Sequence, residues 1–153
     1  MFNFLKKQHF SKDPKYRNLL VLMAENFSNQ ATSTVLGHEK IKIKGEATGC
    51  LPNENFVIGY IYGFVDWTLQ NSNYSEEHHH THATARMFQA LYGNELGLKI
   101  TAKTGSLLDK NKKFKKGCTL GAEEAQTLFS GGGISGLALY IQKNIEKGKK
   151  LKK

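Results

Sequence analysis

The sequence predicts an α+β fold that is predominantly helical, with about five helices and a small antiparallel sheet of two or three strands. Two observations predict this class. Apolar residues recur at helical spacing over much of the chain, and three short stretches alternate apolar and polar residues as half-buried strands do. The 153 residues suffice for one domain. We place it at 14–146, between a short leader at 1–13 and a basic, disordered tail at 147–153.

Five helices follow from the periodicity and from the signals at their ends. Asp13 and Pro14 are a typical helix start, because aspartate caps free backbone N–H groups and proline fits the first helical position. Ser75 is a similar cap, followed by two glutamates that suit the positive end of a helix dipole. We expect helices over about 14–31, 54–70, 75–92, 122–129 and 134–146.

The alternating stretches predict the strands. Glu39–Gly45 places apolar residues on one side and charged residues on the other, and Leu98–Lys103 alternates in the same way, so we expect the two to pair. Phe114–Leu120 is a third candidate strand, reached through a lysine-rich turn at 109–111. No internal repeat and no interdomain linker are recognisable in the sequence.

The net charge of +9 at neutral pH is concentrated in two places. One is a run of lysines at 110–116 and the other is the lysine-rich end from Lys143, whereas the rest of the chain is close to neutral. The longest apolar run contains Asp66 and is shorter than the roughly 20 residues that a membrane-spanning helix needs. We expect no membrane span, no signal peptide and a cytoplasmic protein, in which Cys50 and Cys118 are reduced thiols.

The most informative segment is the apolar helix expected over 54–70. Gly59, Gly63, Asp66 and Gln70 fall on one of its faces, and glycines four residues apart let another backbone or a ligand come close. One interpretation is tight packing against a neighbouring helix, with Asp66 bonded to a helix end or to Arg86. The other is one wall of a groove for a peptide or small ligand. The contact residues expected for such a groove are Gly59, Tyr62, Gly63, Asp66, Trp67 and Gln70.

Within this helix, the run Gly-Tyr-Ile-x-Gly-x-x-Asp at 59–66 is similar to a helix of the small immunity proteins that neutralise cell-wall amidase toxins. The similarity covers these eight residues. The resemblance implies a periplasmic, disulfide-bonded protein, whereas this chain shows neither an export signal nor the cysteine spacing of that family.

A histidine cluster opens the helix expected over 75–92. His78 and His82 are four residues apart and share a helix face, a spacing with which two imidazoles can bind one metal ion. The predicted cofactor is therefore none or a single divalent transition metal, and a solvated polar first turn is the alternative interpretation. The candidates to complete the ligand set are Glu77, Glu25, Asp66 and His38.

The lysine run at 110–116 predicts a surface that binds nucleic-acid phosphates without reading sequence. Base reading favours arginine, which neither lysine-rich segment contains, so a solvated loop is the alternative. The lysines in question are Lys110, Lys112, Lys113, Lys115 and Lys116.

No catalytic constellation is recognisable, and this favours a small, soluble, non-enzymatic protein that binds another protein or itself. We expect the helix pair at 54–92 to be the interaction surface, because its first helix carries aromatic residues and glycines on more than one face. Nucleic-acid binding through the lysines and metal binding through His78 and His82 are the alternatives.

Overall fold

The computed structural model describes residues 10–35 and 51–151, with side chains for 10–31 and 51–143, and all regular structure within these residues is helical. A 3-10 turn at Phe10–Lys12 precedes six α-helices. These are α1 (Pro14–Val35), α2 (Asn55–Gln70), α3 (Glu77–Tyr92), α4 (Asn94–Lys110), α5 (Lys112–Phe129) and α6 (Gly136–Leu151).

The prediction of an α+β fold is wrong, because two of the expected strands are helical. Leu98–Lys103 lies inside α4, whose buried residues Gly97, Ile100 and Thr104 recur at helical spacing. The alternation in this stretch is fortuitous, since Leu98 points outward and is 54% exposed. The strand predicted at Glu39–Gly45 lies outside the described residues.

The second incorrect strand, Phe114–Leu120, is the first half of α5. Asn111 is the only residue between α4 and α5, and its side-chain oxygen caps α5 by accepting a hydrogen bond of 2.9 Å from the Phe114 N–H group. The buried residues Phe114, Gly117, Gly121 and Ala125 then follow one helical face. The helix predicted over 122–129 is therefore only the end of a longer helix.

The helix starts agree with the end signals in one case and differ in another. Asp13 caps α1 as predicted, with its Oδ1 accepting a hydrogen bond of 2.9 Å from the Lys15 N–H group. The cap of α3 is Glu76 rather than Ser75, because Glu76 and His79 form a reciprocal capping box. Helix α6 continues to Leu151, into the stretch predicted as a tail.

Helix α2 lies at the centre of the core. Ten of its 16 residues are buried, and they include runs at 57–61 and 63–65 that cover every side of the helix. Phe27 of α1 packs edge-on against Phe64, with ring centroids 5.1 Å apart. No helix within the described residues has a stretch that is both long enough and apolar enough to cross a lipid bilayer.

Helices α2 and α5 touch through their backbones. A Cβ atom added to Gly59 or Gly63 of α2 would collide with a backbone carbonyl group of α5, and one added to Gly117 or Gly121 of α5 would collide with one of α2. Four residues separate the glycines within each pair, so a groove without side chains runs along both helices.

The order of these contacts along the two helices shows that α2 and α5 run in the same direction. Gly59 faces Phe114, and Gly63, one turn later, faces Cys118, one turn later in α5. The outer helices follow an approximately two-fold pattern around this pair, with α3 packed on α4 and α6 packed on α1. The described part of the chain is thus built from two sets of three helices, α1–α3 and α4–α6.

We expect Gly63→Ala to lower the free energy of unfolding by about 1–3 kcal/mol or more, because overpacking must separate two backbones that cannot repack. Gly105→Ala is the matched control. Gly105 also lies within a helix, but a Cβ atom there meets nothing within 4 Å. That change should raise stability by up to about 1 kcal/mol through helix propensity. Urea unfolding measures both, and equal effects of the two substitutions would contradict the close contact.

Candidate functional site

The structure divides the six residues expected to bind a partner along α2. Gly59 and Gly63 are buried against the backbone of α5, so the close approach that their spacing predicts is made within the chain. Tyr62 lies at the edge of this contact, with its ring centroid 5.6 Å from that of Phe114. The tight-packing interpretation therefore accounts for the two glycines, and these two leave no groove for a partner.

The remaining three residues sit further along α2. Asp66 Oδ1 lies 3.1 Å from His80 Nε2 of α3, and this contact is the first cause that lowers the pKa of Asp66. Trp67 stacks on Phe129 at the end of α5, with a centroid distance of 6.4 Å and an angle of 19° between the rings. Gln70 is exposed, and its side chain forms a hydrogen bond with Asp66. The structure therefore keeps Asp66 and Gln70 together, whereas Gly59 and Gly63 are buried against α5.

The sequence analysis missed a repeat that underlies this arrangement. Both central helices carry the pattern Phe-x-x-Gly-x-x-x-Gly followed three residues later by a carboxylate, and the offset between the two copies is constant. The first copy is Phe56, Gly59, Gly63 and Asp66, and the second is Phe114, Gly117, Gly121 and Glu124. The repeat is visible in the sequence, but the residues of α5 were predicted as a strand followed by a helix.

The two carboxylates of the repeat play equivalent roles. Asp66 contacts His80 in the first turn of α3, and Glu124 accepts hydrogen bonds of 3.1 Å from the Gly136 N–H group at the start of α6. Glu124 also accepts a hydrogen bond of 2.5 Å from the Tyr60 hydroxyl group. Each carboxylate thus joins a central helix to the beginning of the helix that closes its half, where negative charge complements the helix dipole.

Buried Gln30 of α1 completes the polar contacts at the start of α6. Its Oε1 accepts hydrogen bonds from the Leu137 and Ala138 N–H groups at 3.0 and 3.1 Å, and its Nε2 donates to the Tyr60 hydroxyl oxygen at 3.0 Å. Burial raises the pKa of Tyr60, so the phenol keeps its proton. These groups hold α6 in place.

The four histidines of α3 have different neighbours. His78 Nδ1 lies 3.2 Å from Glu76 Oε2, and His79 Nδ1 accepts a hydrogen bond of 3.3 Å from the Glu76 N–H group. His80 faces Asp66, and His82 Nδ1 lies 2.8 Å from the Tyr16 hydroxyl oxygen. The histidine run is therefore not a uniform solvated turn.

Both residues of the predicted metal pair, His78 and His82, contact the same aromatic ring. The Phe10 ring centroid lies 5.1 Å from that of His78 and 5.2 Å from that of His82. Among the described residues, one group with metal-ligand atoms within 4.8 Å of one another is present, formed by Glu76, His78 and His79. This group contains Glu76 in place of Glu77. Metal binding stays a prediction, and His38 lies outside the described residues.

The predicted nucleic-acid surface is helical. Lys110 ends α4, and the other four lysines of the run lie in the first two turns of α5 rather than in a loop. All five are exposed.

A groove of about 590 Å³ lies between α1 and α3, and no sequence signal pointed to it. Both arginines of the chain, Arg17 and Arg86, line it. Neither has a carboxylate within 4.0 Å among the residues that the structure describes. The other lining residues are Ser11, Lys12, Tyr16, Leu20, Val21, Ala24, His82, Met87 and Ala90.

The polar pair in this groove has a defined protonation state. Burial raises the pKa of Tyr16. Burial and the positive charge of Arg86 lower the pKa of His82. At neutral pH the phenol is therefore protonated and the imidazole is neutral. The Tyr16 hydroxyl oxygen lies 2.8 Å from His82 Nδ1, and the hydroxyl group donates to the His79 carbonyl oxygen at 3.5 Å.

The free thiol has no features of a nucleophile. Cys118 is half-buried at the α2–α5 contact, and burial together with the charge of Asp66 raises its pKa to about 11. The thiol is therefore protonated at neutral pH and is a weak nucleophile. Cys50 lies outside the described residues.

Neither a protein-family model, nor a curated protein, nor a solved structure matches this chain. The eight-residue similarity to immunity proteins thus has no family match behind it. Function has to be inferred from the site itself.

We expect stability to fall when the pH is lowered from 7.5 to 5.5. Burial, aided by His78, lowers the pKa of His79, and that of His82 is lowered as described. The folded state then binds fewer protons than the unfolded state below about pH 6.5, so acidification favours unfolding. Urea unfolding at both pH values measures the difference. It should be smaller in the double variant His79→Gln and His82→Gln, and a wild-type stability that does not change with pH would contradict the prediction.

Proposed function

We propose that this chain is a non-enzymatic binding protein that recognises an acidic protein partner through the outer face of α1. The observation that carries the proposal is a pair of adjacent exposed apolar side chains on this helix. Val21 is 54% exposed and Leu22 is 46% exposed. Contiguous apolar surface of this kind, surrounded by polar residues, is typical of protein interaction sites.

Val21 and Leu22 form a ridge along α1, and the depressions on both sides of this ridge support a macromolecular partner. Val21 borders the groove towards α3, and Leu22 borders a depression of about 400 Å³ towards the end of α5 and the start of α6. Leu128, Ile134 and Ala138 give this second depression an apolar centre, and Glu25 and Asn29 lie at its α1 side. A surface that spans two depressions across a ridge is wider than a small molecule needs, and its apolar centre with a polar rim has the anatomy of an interface.

Charge complementarity argues for an acidic partner rather than a second copy. Arg17 and Lys12 lie beside the ridge, and Arg86 lies across the groove on α3. Two copies facing each other through this surface would place like charges together, which disfavours self-association. An acidic protein would be attracted at long range. The interaction surface expected at 54–92 comprises α2 and α3. The proposed surface lies on α1 instead of α2, and α3 still borders it.

Leu22→Lys tests the surface, because a charge at the centre of an interface should weaken binding by at least about tenfold. Leu98→Lys is the control, since Leu98 has a similar exposure of 54% but lies on α4. The wild-type chain and both variants would be immobilised and exposed to the same lysate. Proteins retained by wild type and Leu98→Lys but lost with Leu22→Lys would be purified and their affinities measured by calorimetry.

Circular dichroism would confirm that both variants are folded. A partner that binds Leu22→Lys as tightly as wild type would contradict the proposed surface. A dimer seen by analytical ultracentrifugation, and lost only in Leu22→Lys, would replace the acidic partner with a second copy.

Nucleic-acid binding is the second candidate, and one observation favours it. The first turn of α5 contains no acidic residue. In addition, four of the five exposed lysines lie within its first two turns. Positive charge at this end of a helix opposes the helix dipole and costs stability, so folding does not explain the cluster. A phosphate backbone would offset this repulsion.

Fluorescence anisotropy with a labelled DNA duplex at increasing salt tests this candidate. Phosphate contacts predict that log K falls linearly with log salt, with a slope of about −0.9 per contact. Replacing Lys112, Lys113, Lys115 and Lys116 with glutamine should weaken binding and flatten the slope. Undetectable binding at low salt, or a slope unchanged by the four substitutions, would exclude the lysine surface.

A further inference from the structure

We infer that the groove between α1 and α3 is a binding site for a small carboxylate attached to an apolar chain or ring. This goes beyond the proposed protein partner, because it concerns a small ligand within the groove itself, although Lys12, Arg17 and Val21 belong to both surfaces. The inference depends on how the lining residues are distributed along the groove, on the two arginines, and on the size of the cavity.

Polar and apolar lining residues are segregated along both helices. On α1 the polar residues Tyr16 and Arg17 come before the apolar Leu20, Val21 and Ala24, and on α3 His82 and Arg86 come before Met87 and Ala90. The bond between Tyr16 and His82 places the polar ends of the two helices side by side. The groove therefore has one charged end and one apolar end.

The charged end suits a carboxylate. Arg17, Arg86 and Lys12 supply positive charge from three segments around the Tyr16–His82 pair. A guanidinium group matches a carboxylate through two parallel hydrogen bonds, which a lysine cannot reproduce. Cationic side chains elsewhere in the chain are lysines, so arginine occurs only where this geometry would be of use.

These arginines are not explained by the fold. The described residues provide no carboxylate within 4.0 Å of either guanidinium group, whereas the buried polar groups of the core, such as Gln30 and Glu124, are bonded to helix ends. Arg86 also lies close enough to lower the pKa of His82, so these two groups of α3 lie together at the groove.

The size and the apolar end define the rest of the ligand. A volume of about 590 Å³ lies within the usual range of roughly 300–1,000 Å³ for small-molecule sites. Leu20, Ala24 and Ala90 offer an apolar surface on which an alkyl chain or an aromatic ring would be removed from water. The ligand class is thus an amphipathic monocarboxylate, with the carboxylate between the arginines.

Calorimetric titration with decanoate, kept below its micelle concentration, tests the inference. We expect one decanoate per chain, and affinities at least tenfold lower for 1-decanol, which lacks the charge, and for acetate, which lacks the chain. The double variant Arg17→Gln and Arg86→Gln should bind decanoate at least tenfold more weakly. Ala90→Phe should also weaken binding, because the added ring occupies the apolar end.

Lys99→Gln with Lys103→Gln is the matched control, since it removes the same charge from exposed positions on α4. Its affinity for decanoate should stay within twofold of wild type, as should that of Leu22→Lys, which separates this site from the proposed protein surface. Circular dichroism would confirm the fold of each variant. No decanoate binding by wild type, binding at many weak sites, or equal losses in the arginine and lysine pairs would overturn the inference.

Discussion

The direct contact between the backbones of α2 and α5 is the constraint on which the rest of the structure depends. Two glycines on each helix remove the side chains that would hold the axes apart, and each glycine faces a carbonyl group of the other helix. A glycine costs a helix about 1 kcal/mol relative to alanine. Close packing over the whole length of the contact, with Cα–H groups near carbonyl oxygens, offsets that cost.

This contact determines where polar groups can lie in the core. Because α2 and α5 leave no room for side chains between them, the carboxylate that follows each glycine pair lies beside the contact and reaches the beginning of another helix. Asp66 serves α3 and Glu124 serves α6. A repeated motif thus positions both closing helices by the same device. Both carboxylates of the repeat are thus used to position helices.

The sequence predicted the helices whose apolar faces are unambiguous, such as α2 and α3, and it predicted the close approach at Gly59 and Gly63. It failed where burial is achieved with small residues. Gly117 and Gly121 contribute no hydrophobicity, so the periodicity of α5 was invisible beside its exposed lysines, and the alternation around Leu98 suggested a strand. The groove could not be predicted, because it depends on the pairing of α1 with α3, and only the chain's scarcity of arginine distinguished Arg17 and Arg86 beforehand.

The positions of the histidine, cysteine and arginine side chains argue that function lies at the periphery of the helical core. The two histidines predicted as metal ligands have neighbours in the structure, with His78 beside Glu76 and His82 beside Tyr16. Cys118 is protonated at the central contact. One surface without an evident structural task is the outer face of α1, where Val21 and Leu22 are exposed and Arg17 has no acidic partner in the described part of the chain. Exposed apolar surface and unpaired arginine are both features that binding, rather than folding, would favour.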